Sequence, residues 1–269
     1  MTQMLGRHEA TAASATEPLV EIEYFTDPLC CWSWAMEPQW RRVRFEFDGR
    51  VCWRYRMGGM IADWNAYQDP INSISRPSQM GPLWFQAREL SGMPLEDRIW
   101  FEDPPRSSYP ACAAVKAAEL QSPLAAERYL RRLREAVMTE RRNISRADVL
   151  LAVAEEVQNE GHVPFDADRF DRDRMSPEVR SAFREDLRTA GYLGIGRFPT
   201  LILRRQGEEG GLMLVGYRPY ESIRAALRHV DAAAEPVRQA SSRDEYETYW
   251  GGVLDRELQE VGCTLPVAF

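Results

Sequence analysis

The sequence predicts an α/β fold whose sheet is split in two by a long helical insertion. Three observations predict it. Val20 to Phe25 and Arg50 to Met57 are strand-like runs flanking a glycine-free helical stretch. Ser107 to Thr189 carries helix starts and apolar stripes but no strand pattern. Thr200 to Arg204 and Leu212 to Val215 then form a hairpin pattern followed by a helix. The order is β-α-β, helical insert, β-β-α.

Each element has its own reason. Val20 to Phe25 mixes β-branched and aromatic residues with charges, which suits a strand, and Asp27-Pro28 breaks it. Trp34 to Phe47 repeats apolar positions at Trp40, Val43 and Phe47, which predicts a helix with a cysteine at its first turn. Val51, Trp53, Tyr55 and Met57 alternate in the second strand, which Gly58-Gly59 ends. A right-handed crossover then makes the two strands parallel. Ile61 to about Pro110 is rich in proline, tryptophan and glycine and predicts short helices, one around Leu83 to Leu90. Its aromatics, with Ile99-Trp100-Phe101 as an apolar anchor, either pack onto the core or line a groove; packing is the commoner fate.

In the insertion, Ser107-Ser108-Tyr109-Pro110 opens a helix through Leu120. Ser122-Pro123 opens another with Tyr129, Leu130, Leu133, Val137 and Met138 on one face. Ser145 is expected to cap a third, striped by Val149, Leu150, Val153 and Val157. Asp166 to Met175 makes a short helix, and Ser176-Pro177 starts the last, which Gly191 stops. After the hairpin, Tyr220 to Val230 is helical. The expected divisions are a disordered N-terminus (1–17), a first half-domain (18–60), the helical insertion (61–190), a second half-domain (191–232) and a tail (233–269). The tail holds one helix around Tyr246 to Leu258. It could cover a sheet edge, cover the site or contact a partner.

Composition bounds the function. The chain has 269 residues, 44% hydrophobic and 28% charged, as expected of a globular protein that buries a sizeable core. A net charge of −7 argues against nucleic-acid partners and anionic membranes. Five cysteines form no spaced disulfide framework, and no signal-like or membrane-length apolar run is present, so the expected location is the cytoplasm with thiols reduced. His8, His162 and His229 are scattered, so no metal site is expected. Arg41-Arg42, Arg131-Arg132 and Arg141-Arg142 read as solvated helix faces.

The chemistry concentrates in Tyr24 to Trp34, where Cys30 stands at a predicted helix start. Unpaired N–H groups and the helix dipole there favour a thiolate, the nucleophilic form. The alternative is a buried cysteine acting as a small hydrophobe. Cys52, Cys112 and Cys263 are expected to be inert. Cys31 is a possible secondary thiol, but vicinal cysteines close a disulfide only with strain, and it is expected to point away from Cys30.

Cys30-Cys31-Trp32-Ser33 resembles the C-x-x-C site of thioredoxin-fold proteins with serine in place of the second cysteine. Pro38 stands where such proteins kink the active-site helix, and Arg197-Phe198-Pro199-Thr200 resembles their cis-proline loop. Together these are similar to the DsbA family, in its cytosolic branch of FrnE-like proteins and SpxH/YjbH-type adaptors of the ClpXP protease. The resemblance spans Pro18 to Val230 and implies a thioredoxin-like fold with a large inserted helical domain. It implies that Cys30, Ser33 and Pro199 carry the chemistry and that Phe198, Trp32 and Thr200 meet the substrate. It departs at Ser33, which cannot resolve a mixed disulfide. It departs also at Tyr24, where the family often places a carboxylate; strand alternation turns Glu23 to the other face.

Three functions follow. The first is a monothiol thiol-disulfide oxidoreductase acting on protein or small-molecule disulfides, binding no cofactor and using glutathione as co-substrate. The second is a redox-poor adaptor that holds a client protein. The third is a glutathione-dependent transferase or isomerase, ranked last because such relatives usually carry serine at the position of Cys30.

Overall fold

The computed structural model describes residues 19–263, so the disorder expected of 1–17 lies outside the described residues. Four strands, β1 (Val20–Thr26), β2 (Val51–Met57), β3 (Thr200–Arg205) and β4 (Gly211–Val215), form one sheet in the order β2-β1-β3-β4. β1 runs parallel to β2 and antiparallel to β3, and β4 returns antiparallel to β3. Phe25 pairs with Thr200. The chain leaves β1 and enters β3 at the same end of the sheet, so the turn carrying Cys30 faces the loop carrying Pro199.

The α/β architecture with an inserted helical unit is as the sequence predicts. Between β2 and β3 lie α3 (Met80–Ser91), α4 (Ile99–Glu102), α5 (Tyr109–Glu119), α6 (Pro123–Met138), α7 (Ala147–Glu160), α8 (Ala167–Asp173) and α9 (Pro177–Tyr192). Ser122 and Ser176 cap α6 and α9 through their side chains, accepting from Ala125 N and Val179 N. β1 alternates cleanly. Val20, Ile22 and Tyr24 enter the main core, where Tyr24 packs edge-on to Trp40 at 5.0 Å between ring centroids. Glu23 takes the opposite face, held by Arg56 and Arg204. The tryptophans of the irregular segment mostly pack: Trp84 and Trp100 are buried in mutual edge contact at 5.2 Å, each worth roughly 2–3 kcal/mol of apolar burial.

Four local expectations are corrected. The first helix is two, α1 (Cys31–Ala35) and α2 (Glu37–Glu46), because Pro38 stands in the first turn of α2, where its missing N–H costs nothing. Arg146, not Ser145, stands at the start of α7; the Ser145 hydroxyl bonds Asn143 instead. The tail carries α11 (Arg243–Trp250) and α12 (Asp255–Glu260), after α10 (Tyr220–Val230), because Gly251 ends α11 at φ +70°. Finally, Arg41 and Arg131 are buried, not solvated. Both bind the fully buried Glu257 of α12, at 2.9 and 2.8 Å, while Tyr246 of α11 packs edge-on to Phe45 of α2. The described part of the tail, through Cys263, therefore covers the outer face of α2 rather than the sheet edge or the Cys30 site.

Candidate active site at the Cys30 turn

Five segments converge on Cys30: the β1–α1 turn, the chain after β2, α3, the loop before β3 and the loop after β4. They enclose an open cleft of about 740 Å³. Asp27 builds the turn. Its carboxylate accepts from Leu29 N at 2.8 Å, an Asx turn that the Asp27-Pro28 pair could have signalled. It also accepts from Met60 N at 2.6 Å and the Ser108 hydroxyl at 2.7 Å, tying the turn to the segment after β2 and to the residue that precedes α5. Sequence reasoning missed Asp27 because two of these partners come from distant elements. Burial pushes its carboxyl pKa up, and the hydrogen bonds only partly offset this.

Cys30 is the N-cap of α1, in extended conformation, and its sulfur accepts from Ser33 N at 3.4 Å. The thiol donates to the Phe198 carbonyl at 3.4 Å across the cleft wall. Phe198-Pro199 is a cis peptide. Gly58 is required opposite: a Cβ there would sit 2.0 Å from the Phe198 ring. Cys30 is 4% exposed yet lines the cleft. The expected depressed pKa is not found. Burial pushes the Cys30 thiol up, and hydrogen bonds from Ser33 only partly offset that. The helix-start argument fails on length, because α1 is five residues long and builds little dipole, whereas desolvation is large.

The other expected site residues divide. Trp32 and Phe198 line the cleft with Cys30. Ser33 stands behind it, fully buried, accepting from the Thr26 hydroxyl at 2.8 Å. Thr200 does not line the cleft. Its hydroxyl donates to Arg197 O at 2.7 Å and braces the loop, since the first position of β3 faces inward. Cys31 packs in the main core, although it also borders the cleft, and burial raises its thiol well above the ordinary range. Cys112, expected to be an inert core residue, donates to the Asp27 carboxylate at 3.3 Å. Tyr67 and Asp69 line the cleft from the irregular segment, so that segment makes a groove wall as well as core. Among the described residues no three histidine, cysteine or acidic side chains gather to hold a metal ion.

A family model described as Thioredoxin matches residues 24–225. Two ClpXP adapter proteins named SpxH, from Halalkalibacterium halodurans and Shouchella clausii, are 31% and 32% identical over 75% and 79% of this chain. The chain spans 64% and 67% of the length of those relatives. The cytosolic disulfide reductase DsbM from Pseudomonas aeruginosa superposes with a TM-score of 0.56 at 27% identity, covering 72% of this chain and 88% of that one. Its structure with GSH gives 0.53 at 26%, over 72% and 89%. A Nitrosomonas europaea structure named as a candidate protein disulfide isomerase shares the fold at a TM-score of 0.65 and 20% identity, over 78% and 97%. The match over most of the chain, the cis-proline loop set against the cysteine turn, and the inserted helices agree: the chain belongs to the thioredoxin family, as a DsbA-like protein of the SpxH type.

Proposed function

We propose that the chain is a monothiol thiol-disulfide oxidoreductase of the cytoplasm, with Cys30 as its working sulfur. One observation carries the reading: the Cys30 sulfur stands 3.4 Å from the Phe198 carbonyl, on the wall of an open cleft. A protein disulfide, or a protein–glutathione mixed disulfide, enters between Trp32 and Phe198. Cys30 loses its proton to solvent, and the thiolate attacks one substrate sulfur. The substrate S–S bond breaks, the leaving thiolate takes a proton, and a mixed disulfide remains on Cys30. Ser33 has no thiol to resolve it, so a second thiol from solution, of the glutathione class, attacks and restores Cys30. With a glutathione mixed disulfide as substrate, one further glutathione is oxidised per protein thiol released. The relationship to a cytosolic disulfide reductase, solved also with GSH, supports this class of co-substrate and this compartment.

The test is turnover of a peptide–glutathione mixed disulfide. Wild type and Cys31→Ser are expected to turn over and Cys30→Ser to be inert; activity surviving in Cys30→Ser contradicts the reading.

A second reading has its own support. The Cys30 thiol is raised by burial, no second thiol stands at position 33, and the SpxH relatives are named as ClpXP adapters. The cleft would then hold a client segment without covalent turnover. Co-purification of the same clients by wild type and Cys30→Ser favours the adapter; loss of clients from the variant, or their release by reductant, favours the oxidoreductase.

A further inference from the structure

A buried chain of hydrogen bonds runs from the helical insertion to the back of the Cys30 turn. Arg134, on α6, is 1% exposed. Its Nη1 donates to Glu37 Oε2 on α2 at 2.7 Å, and its Nη2 donates to Thr26 Oγ1, at the end of β1, at 2.5 Å. The Thr26 hydroxyl donates in turn to Ser33 Oγ at 2.8 Å. Thr26 and Ser33 are fully buried, and Glu37 nearly so.

The direction of this chain follows from valence. A guanidinium only donates, so Thr26 Oγ1 accepts from Arg134 and has one proton to give onward. That proton goes to Ser33. The Ser33 oxygen is then occupied as an acceptor on that side, and its own proton turns away from Thr26. The Ser33 N–H already donates to the Cys30 sulfur at 3.4 Å, so Ser33 lies against that sulfur. An anionic sulfur is a strong acceptor for the free hydroxyl proton.

We propose that Arg134 is a positioning residue for Cys30, acting through Thr26 to fix the Ser33 hydroxyl as a hydrogen-bond donor to the sulfur. Serine at position 33 then supplies a donor to a sulfur that spends time as thiolate, in place of a second thiol. The ion pair behind it fits this role better than a purely structural one. A buried arginine–carboxylate pair adds little stability over apolar packing, and here Arg134 Nε has no partner among the described residues. The proposal rests on the reading of Cys30 as a working thiol, but it is tested without substrate.

The measurement is the titration of Cys30 by thiolate absorbance in the ultraviolet, taken as the difference from Cys30→Ser. Other groups face or flank the sulfur: Asp27 and Cys31 in the turn, Tyr24 on β1, Arg134 on α6 with Glu37 behind it, and Tyr67 in the segment after β2. Thr26→Val leaves all of them in place and removes only the link. The midpoint is expected to rise by roughly one pH unit in Thr26→Val and in Ser33→Ala, a tenfold loss of thiolate below the midpoint. The double variant is expected to match Ser33→Ala alone, because both changes cut one chain. A Thr26→Val midpoint equal to wild type, an unmoved Ser33→Ala, or shifts that add in the double variant overturns the proposal. Arg134→Met is expected to raise the midpoint as well; should it not fold, the Thr26 and Ser33 variants still decide. Wild type that titrates with these shifts yet turns over no mixed disulfide sinks the oxidoreductase reading and leaves the positioning role standing.

Discussion

Glu257 offers the sharpest test of how the tail is held. It is fully buried between two equally buried arginines. Arg41 Nη1 reaches both its oxygens at 2.9 Å, Arg131 contributes bonds of 2.8 and 3.2 Å, and Leu254 N donates at 2.7 Å. Glu257→Gln keeps the shape and removes the charge. Arg131 still has Glu135 at 2.7 Å, but Arg41 keeps no carboxylate among the described residues, only the neutral amide oxygen of the glutamine and the carbonyls of Trp250 and Gly252. Breaking a buried pair from one side costs about 3–5 kcal/mol, and the retained Glu135 contact places this case at about 3 kcal/mol. Urea unfolding at neutral pH reads it directly, with the slope unchanged. The two arginines hold the Glu257 carboxyl below its ordinary value of 4.5, against the opposing effect of burial. A carboxyl depressed by folding contributes stability that is fully present above its unfolded pKa and is lost as pH falls through the folded one. Wild type therefore loses this contribution below about pH 4.5 and the variant does not, so the two curves converge in acid. A loss under about 1 kcal/mol at neutral pH, or a gap that widens in acid, refutes the reasoning.

Two further predictions concern the cleft. Gly58→Ala places a methyl 2.0 Å from the Phe198 ring, so the ring must move; thermal unfolding should show a loss of about 1–3 kcal/mol and turnover should fall, and an unchanged protein would contradict the packing. Because burial raises the Cys30 thiol, its alkylation by iodoacetamide should be slow at neutral pH and still be rising above pH 9.0; a rate already on its plateau at neutral pH would show that the sulfur is far less desolvated than its surroundings imply.

The site was half legible in the sequence, for a physical reason. Cys30, Ser33 and Pro199 carry local signatures: a turn, a helix start, and a proline ahead of an apolar strand. The groups that tune them do not. Arg134 and Thr26 meet only because α6 packs beside α1 and its arginine reaches the end of β1, and nothing local marks an arginine in a helical insertion as buried. Arg41 and Arg131 misled for the same reason, since a pair of arginines reads as solvated until its carboxylate, Glu257, arrives from more than a hundred residues away. The strands were legible because alternation is a local pattern. The break at Met36 and the double helix in the tail depended on how Pro38 and Gly251 are used, which is set by packing.

The most direct measurement is peptide mapping by mass spectrometry after brief exposure of the folded protein to oxidised glutathione. A single reductant-sensitive glutathione adduct on the peptide containing Cys30, absent from Cys30→Ser, is the predicted result. Modification at Cys52 or Cys263 with Cys30 untouched would contradict the assignment of the working sulfur.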